Sequence, residues 1–225
     1  MTVHVIRFGG SNCDRDTVRA LESLGVDADL VWHEDGIPDD ADGVVLPGGF
    51  SYGDYLRAGA MAARSPVMEE VRAAAEDGIP VLGVCNGAQV GCEAGFTPGA
   101  FTTNASARFQ CEHVHVRVEN ADTPWTRAYE EGEVLELPIA HGEGRFEVDD
   151  DRLAALEDGN RVLFRYCDES GAVTDDANPN GSKGAVAGLT GERDTVAVMM
   201  PHPERVTLPD IGATDGQGVL AAFAD

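Results

Sequence analysis

Apolar runs and glycine punctuation alternate along the first part of the chain. Val3 to Phe8 is a β-branched run broken by Gly9-Gly10, and Ser11 then reads as the cap of a helix through about Leu24 that stops at Gly25. Asp29 to His33 and Gly43 to Pro47 predict two more strands, the second wholly apolar, as a strand covered on both faces must be. A helix over Arg64 to Asp77, ending at Gly78, leads into another buried strand over Ile79 to Val84, and a small-residue helix follows over Ala88 to Ala94. Strands alternating with helices at this spacing predict a mainly parallel open sheet with helices on both faces.

Beyond Gly95 the pattern changes. His113 to Glu119 alternates with period two and predicts a strand with one wet face. Val134 to Ile139 and Arg161 to Cys167 read as further strands, Asp175 to Gly184 as turn, Val186 to Leu189 with Thr195 to Met199 as a closing strand pair, and Val219 to Ala224 as a short terminal helix. The expected fold class is therefore α/β, with a smaller mixed or antiparallel β extension. No repeat or long linker divides the chain, so residues 1–225 are expected to form one domain.

Composition narrows the setting. Against 40 Asp and Glu stand 16 Lys and Arg, a formal net charge of −24, and a surface this acidic repels nucleic acid and anionic membrane. Lys183 is the sole lysine, and the acids run along the whole chain. That distribution suits a cytosolic protein of a high-salt organism, where dissolved salt screens the repulsion. No apolar run approaches ~18 residues, and the first residues lack the pattern of a secretory leader. The 5 cysteines are odd in number and form no CxxC pair, which points to reduced thiols and away from disulfides or a metal site.

Gly83-Val84-Cys85-Asn86-Gly87 has the form G-x-nucleophile-x-G between a buried strand and a helix. Such a turn exposes a nucleophile at the edge of an α/β sheet, and the helix start behind it favours thiolate. The N–H of Asn86 is there an oxyanion donor. The plainer reading, a buried structural cysteine, fits Cys92 inside the following helix; the flanking glycines favour the functional one for Cys85. A base is also needed. His202, in Met200-Pro201-His202-Pro203-Glu204, is held by two prolines, with Glu204 placed to orient its ring. His4 and His115 fall in strands and read as structural, whereas His141, in AHGEGRF, is a further site candidate. Pro47-Gly48-Gly49-Phe50-Ser51 closes another buried strand; it is either an ordinary turn or one that presents the Gly49 N–H to an oxyanion.

Taken together, GVCNG, PGGFSYGDYLRAG and PHPE resemble the class I, triad-type glutamine amidotransferases, whose sheet is flavodoxin-like. FGGSNCDRDT, CNGAQ, NASARF, AHGEGRF and NPNGS narrow the resemblance to the glutaminase subunits of phosphoribosylformylglycinamidine synthase, over nearly the whole chain. In NASARF an alanine stands where some relatives have glycine. The resemblance implies hydrolysis of L-glutamine with transfer of ammonia to a synthetase. It implies Cys85 as nucleophile, His202 as general acid and base, Glu204 as its orienter, and Gly49 with Asn86 as the oxyanion hole. Gln89, Arg108 and His141 would bind glutamine. It further implies a large synthetase subunit carrying ATP and Mg²⁺, a small bridging subunit, and no cofactor on this chain. Two other readings remain: a DJ-1/PfpI-type cysteine hydrolase or deglycase, in which a His commonly follows the cysteine directly, and a non-catalytic regulatory subunit.

Overall fold

The computed structural model describes residues 1–209 and 213–224. Its centre is a nine-stranded sheet with the order β2-β1-β3-β4-β11-β10-β9-β6-β7. The first half comprises β1 (Thr2–Arg7), β2 (Asp27–Trp32), β3 (Gly43–Leu46), β4 (Val81–Val84) and β11 (Val196–Met199). Every pairing among these five strands is parallel. The second half, β10 (Val186–Thr190), β9 (Val162–Cys167), β6 (Gln110–Val118) and β7 (Val134–His141), pairs antiparallel throughout. A separate two-stranded sheet joins β5 (Ala100–Thr102) to β8 (Arg145–Glu147). The expected antiparallel extension is thus continuous with the parallel sheet.

The apolar strands of the parallel half divide by parity between two cores, because successive side chains leave a strand on opposite faces. Val3, Val5, Val45, Leu82 and Val84 enter one core, shared with Leu21 of α1 (Asp14–Ser23) and Val219 of α5 (Gln217–Leu220). Ile6, Val44, Leu46 and Val81 enter the other, against Val71 of α2 (Val67–Glu76) and Val90 of α3 (Asn86–Glu93). A third cluster packs Phe101, Phe146 and Leu156 of α4 (Asp150–Asp158) beneath the antiparallel half.

Three features depart from the sequence expectations. Ser11 does not cap α1: the helix begins at Asp14, while Ser11 Oγ accepts from Phe8 N at 3.0 Å and Ser11 bridges to Gly49. That bridge ties the first turn to the glycine turn after β3. Helix α4 was not expected, nor were the three-residue strands β5 and β8. The antiparallel half also curls. Strand β7 lies at the sheet edge opposite β2, yet His202 N donates to Pro138 O at 2.8 Å, and the Cys85 thiol lies 3.6 Å from Ala140 O. Register shifts between β9 and β10 accompany the bend, as bulges do.

Candidate active site

Cys85 occupies the step from β4 to α3, with φ 51 and ψ −107. A non-glycine residue in that region is strained, and the strain is held by close packing on both sides. A Cβ on Gly83 would lie 2.6 Å from Gly87 O, and one on Gly87 would lie 1.8 Å from Leu46 O. Both glycines are therefore required for α3 to start against β3 and β4. Cys85 is 5% exposed, and the first N–H groups of α3 have no intrahelical partners. Asn86 supplies one of these N–H groups.

Its side chain also ties the site together. Asn86 Nδ2 donates to Gln89 Oε1 at 2.8 Å and to Asp54 Oδ1 at 3.3 Å, and Asn86 Oδ1 accepts from Ser51 N at 3.1 Å. Gly49 lies on this same loop with φ +154; a Cβ there would meet Gly10 O and Ser11 Cα, both at 2.8 Å.

His202 and Glu204 follow β11 directly. His202 Nδ1 lies 2.6 Å from Glu204 Oε1, and both side chains are 1% exposed. Burial is the largest influence on the ring and opposes its charge, but Glu204 and the sulfurs of Cys85 and Cys13 together outweigh it and hold His202 well above the usual histidine range. Its Nε2 has no hydrogen-bond partner among the described residues. Behind the ring, Arg205 Nη2 donates to Cys13 Sγ at 3.1 Å. Cys13, His202 and Glu204 each place one donor atom within 4.8 Å of the others, a spacing that suits a metal ion. The guanidinium of Arg205 against the sulfur opposes a cation there.

A cavity of about 130 Å³ opens in front of Cys85, lined also by Gly49, Phe50, Asp54, Gln89, Phe109 and His141 among others. Gln89 Nε2 donates to Glu143 O at 2.7 Å. His141 Nδ1 lies 3.1 Å from Asn104 Oδ1, which also accepts from Gly144 N, so the ring donates there. Burial, and then the neighbouring His202, push His141 down to about 4. Arg108 is exposed and does not line the cavity, although its neighbour Phe109 does. Asp54, Asn104 and Glu143 each lie in a motif that carries the family resemblance, but the motifs are far apart in sequence, and only the folded chain brings residues 54, 104 and 143 to one place.

An elbow thiol beside a buried His–Glu pair, at the carboxyl end of a parallel sheet, defines a cysteine-nucleophile enzyme of the α/β class. The sequence model of the CobB/CobQ-like glutamine amidotransferase domain matches residues 1–212. Phosphoribosylformylglycinamidine synthase subunit PurQ of Halobacterium salinarum is 77% identical over 224 residues, covering 100% of both chains. The subunit of the same name from Methanocaldococcus jannaschii is 47% identical, covering 100% of this chain and 98% of its own. A chain in the structure of PurLQS from Thermotoga maritima superposes with a TM-score of 0.87 at 42% identity, covering 99% of this chain and 97% of that one. The chain belongs to the glutamine amidotransferase family, and within it to the PurQ subunits of phosphoribosylformylglycinamidine synthase.

Proposed function

We propose that this protein is the glutaminase subunit of a phosphoribosylformylglycinamidine synthase. It hydrolyses L-glutamine to L-glutamate and ammonia, and the ammonia passes to a synthetase subunit that converts formylglycinamide ribonucleotide to formylglycinamidine ribonucleotide in purine biosynthesis. The observation that carries this reading is Cys85 on its strained elbow, beside the His202–Glu204 pair and facing a cavity lined by Gly49 and Gln89.

The chemistry follows from these groups. As the Cys85 sulfur attacks the γ-carboxamide carbon its proton passes to His202, and the carbonyl electrons move to oxygen, where the N–H groups of Gly49 and Asn86 receive the charge. When the intermediate collapses, the C–N bond breaks and His202 gives a proton to the nitrogen, releasing ammonia. A water that loses its proton to His202 then attacks the thioester. Glutamate leaves, and the imidazolium returns the proton to sulfur. Glu204 holds the ring with Nε2 free for these transfers.

The synthetase partner carries ATP and Mg²⁺ in this reading, and this chain needs no cofactor. A small bridging subunit completes the assembly. Tyr55 and Leu56, 75% and 93% exposed, sit on the loop that also holds Gly49, and such exposed apolar groups suit a surface that a partner covers. Among the described residues no helix is long and apolar enough to cross a membrane, and the reading places the protein in the cytoplasm.

Treatment of the assembled complex with diazo-oxo-norleucine, a glutamine analogue that alkylates the nucleophile, tests the assignment. Labelling confined to Cys85 among the five cysteines is expected. Labelling elsewhere, or none, would remove it.

A further inference from the structure

Cys13 is a buried thiol, 2% exposed, that takes no part in the reaction set out above. It stands at the start of α1, yet its side chain makes no capping hydrogen bond to the helix. The sulfur is turned toward the base instead. Sγ donates to Asn12 Oδ1 at 3.2 Å, accepts from Arg205 Nη2 at 3.1 Å, and lies within 4.8 Å of donor atoms on His202 and Glu204. Arg205 Nε is 3.8 Å from Glu204 Oε1, the same oxygen that lies 2.6 Å from His202 Nδ1. His202, Glu204, Arg205 and Cys13 therefore close a ring of contacts between two turns that are far apart in the chain.

Gly48 shows how closely sulfur and imidazole are packed. A Cβ there would meet His202 Cε1 at 2.8 Å and Cys13 Sγ at 3.0 Å, so both groups press on the turn after β3 at a point where only glycine leaves room. Asn12 N and Cys13 N also donate to Gly48 O, at 3.3 and 3.2 Å. Cys13 thus joins the base to the turn that carries the Gly49 oxyanion donor. Cys92 supplies the contrast: it too is buried, its sulfur meets Thr97 Oγ1 at 3.0 Å, and burial pushes its thiol up to about 12, as suits a cysteine that only fills space. Cys13 is met by a partly buried guanidinium, which directs a donor at a weak acceptor.

We infer that Cys13 is a positioning residue for the general acid and base: its sulfur, braced by Arg205, holds the His202 ring against the glycine turn in the alignment that proton transfer requires. The inference rests on the glutaminase reading, in which His202 delivers a proton to the departing nitrogen. The charged and titratable groups around the ring are Glu204 and Arg205 on its own turn, Cys13 from the start of α1, Cys85 from the elbow and His141 from β7. Of these, Glu204 and the two sulfurs favour the charged ring. Removing the Cys13 sulfur therefore loosens the ring and weakens its hold on the proton.

The test measures glutamine hydrolysis against pH in the assembled synthase carrying Cys13→Ala, Cys13→Val or Cys13→Ser. In Cys13→Ala, kcat is expected to fall about ten- to a hundredfold, the scale on which outer partners of functional side chains act. The KM for glutamine should stay within about twofold of wild type, because Cys13 does not line the cavity. The alkaline limb of the profile, where His202 loses the proton it must deliver, should move down by about half a pH unit or more, since a ring that holds its proton less firmly gives it up at lower pH. Cys13→Val fills the space without an acceptor for Arg205 and should behave as Cys13→Ala does, whereas the hydroxyl of Cys13→Ser still accepts and should return most of the rate. Ammonia-dependent synthesis by the same complexes shows that each has assembled, and Cys13→Val decides alone if Cys13→Ala fails that check. A valine variant with the wild-type rate and profile would overturn the inference, because the sulfur would then be packing only. So would a serine variant as slow as the alanine one. Those outcomes leave the glutaminase reading intact, whereas a wild-type complex that releases no ammonia from glutamine would overturn that reading and this inference with it.

Discussion

Two halves of one sheet meet at the site, and each brings a buried histidine in an opposite condition. From the parallel half comes His202, held well above the usual histidine range once Glu204 and the two sulfurs outweigh its burial. From the curled antiparallel half comes His141, pushed down to about 4 by burial and by His202. The rings are almost equally buried, 1% and 2% exposed, so burial alone does not separate them. What differs is the set of surrounding groups: a carboxylate at 2.6 Å from Nδ1 with two sulfurs nearby for His202, an amide oxygen at 3.1 Å for His141. A carboxylate stabilises imidazolium, whereas an amide that also serves Gly144 N only fixes the tautomer. One histidine can therefore shuttle protons at neutral pH, while the other remains a neutral wall of the cavity.

Glu204→Gln gives His202 the kind of partner that His141 has, and is the sharpest way to break the contrast. The ring should lose its raised affinity for a proton, and kcat for glutamine hydrolysis by the assembled complex should fall by about 10²- to 10⁴-fold. Ammonia-dependent synthesis should be untouched. A kcat that survives the substitution would show that the carboxylate does not set the state of His202.

His141→Asn sharpens the other side, with a smaller effect read as stability. In the unfolded chain the ring takes up a proton near its ordinary 6.5, whereas the folded protein resists until about 4. Between those values the unfolded state binds more protons, so stability is lost as pH falls, by about 2 kcal/mol at pH 5 relative to neutral. Denaturant unfolding of wild type and variant at pH 7 and pH 5, in constant high salt, should show the variant losing less by that amount. Identical losses would mean that His141 is not held neutral by the fold.

The same contrast explains how much could be read from the chain. Cys85 and the His202–Glu204 pair stand in short motifs, because an elbow and a Pro-His-Pro-Glu turn are local devices whose glycines and prolines are visible in order. The parallel strands were legible as unbroken apolar runs, and β6 as an alternating one. The other wall is assembled from motifs far apart in the chain, whose meeting no local pattern announces. His141 depends on Asn104, Asp54 meets Glu143 only in the folded chain, and Arg108, which the family resemblance implied as a glutamine-binding residue, is exposed and does not line the cavity, while Phe109 does. Helix α4 was missed because it is acid-rich and buries Leu156 alone, though Asp149 caps it by accepting from Arg152 N. Ser11 had the chemistry of a cap, but its hydroxyl oxygen accepts from Phe8 N instead.

In the proposed function Cys85 makes ammonia from glutamine for a partner that can also take ammonia from solution. Cys85→Ala in the assembled synthase measures it directly, by comparing formation of the amidine product from glutamine and from ammonium salt. Glutamine-dependent synthesis is expected to disappear while ammonia-dependent synthesis stays near the wild-type rate. Glutamine-dependent synthesis that persists in Cys85→Ala would contradict it.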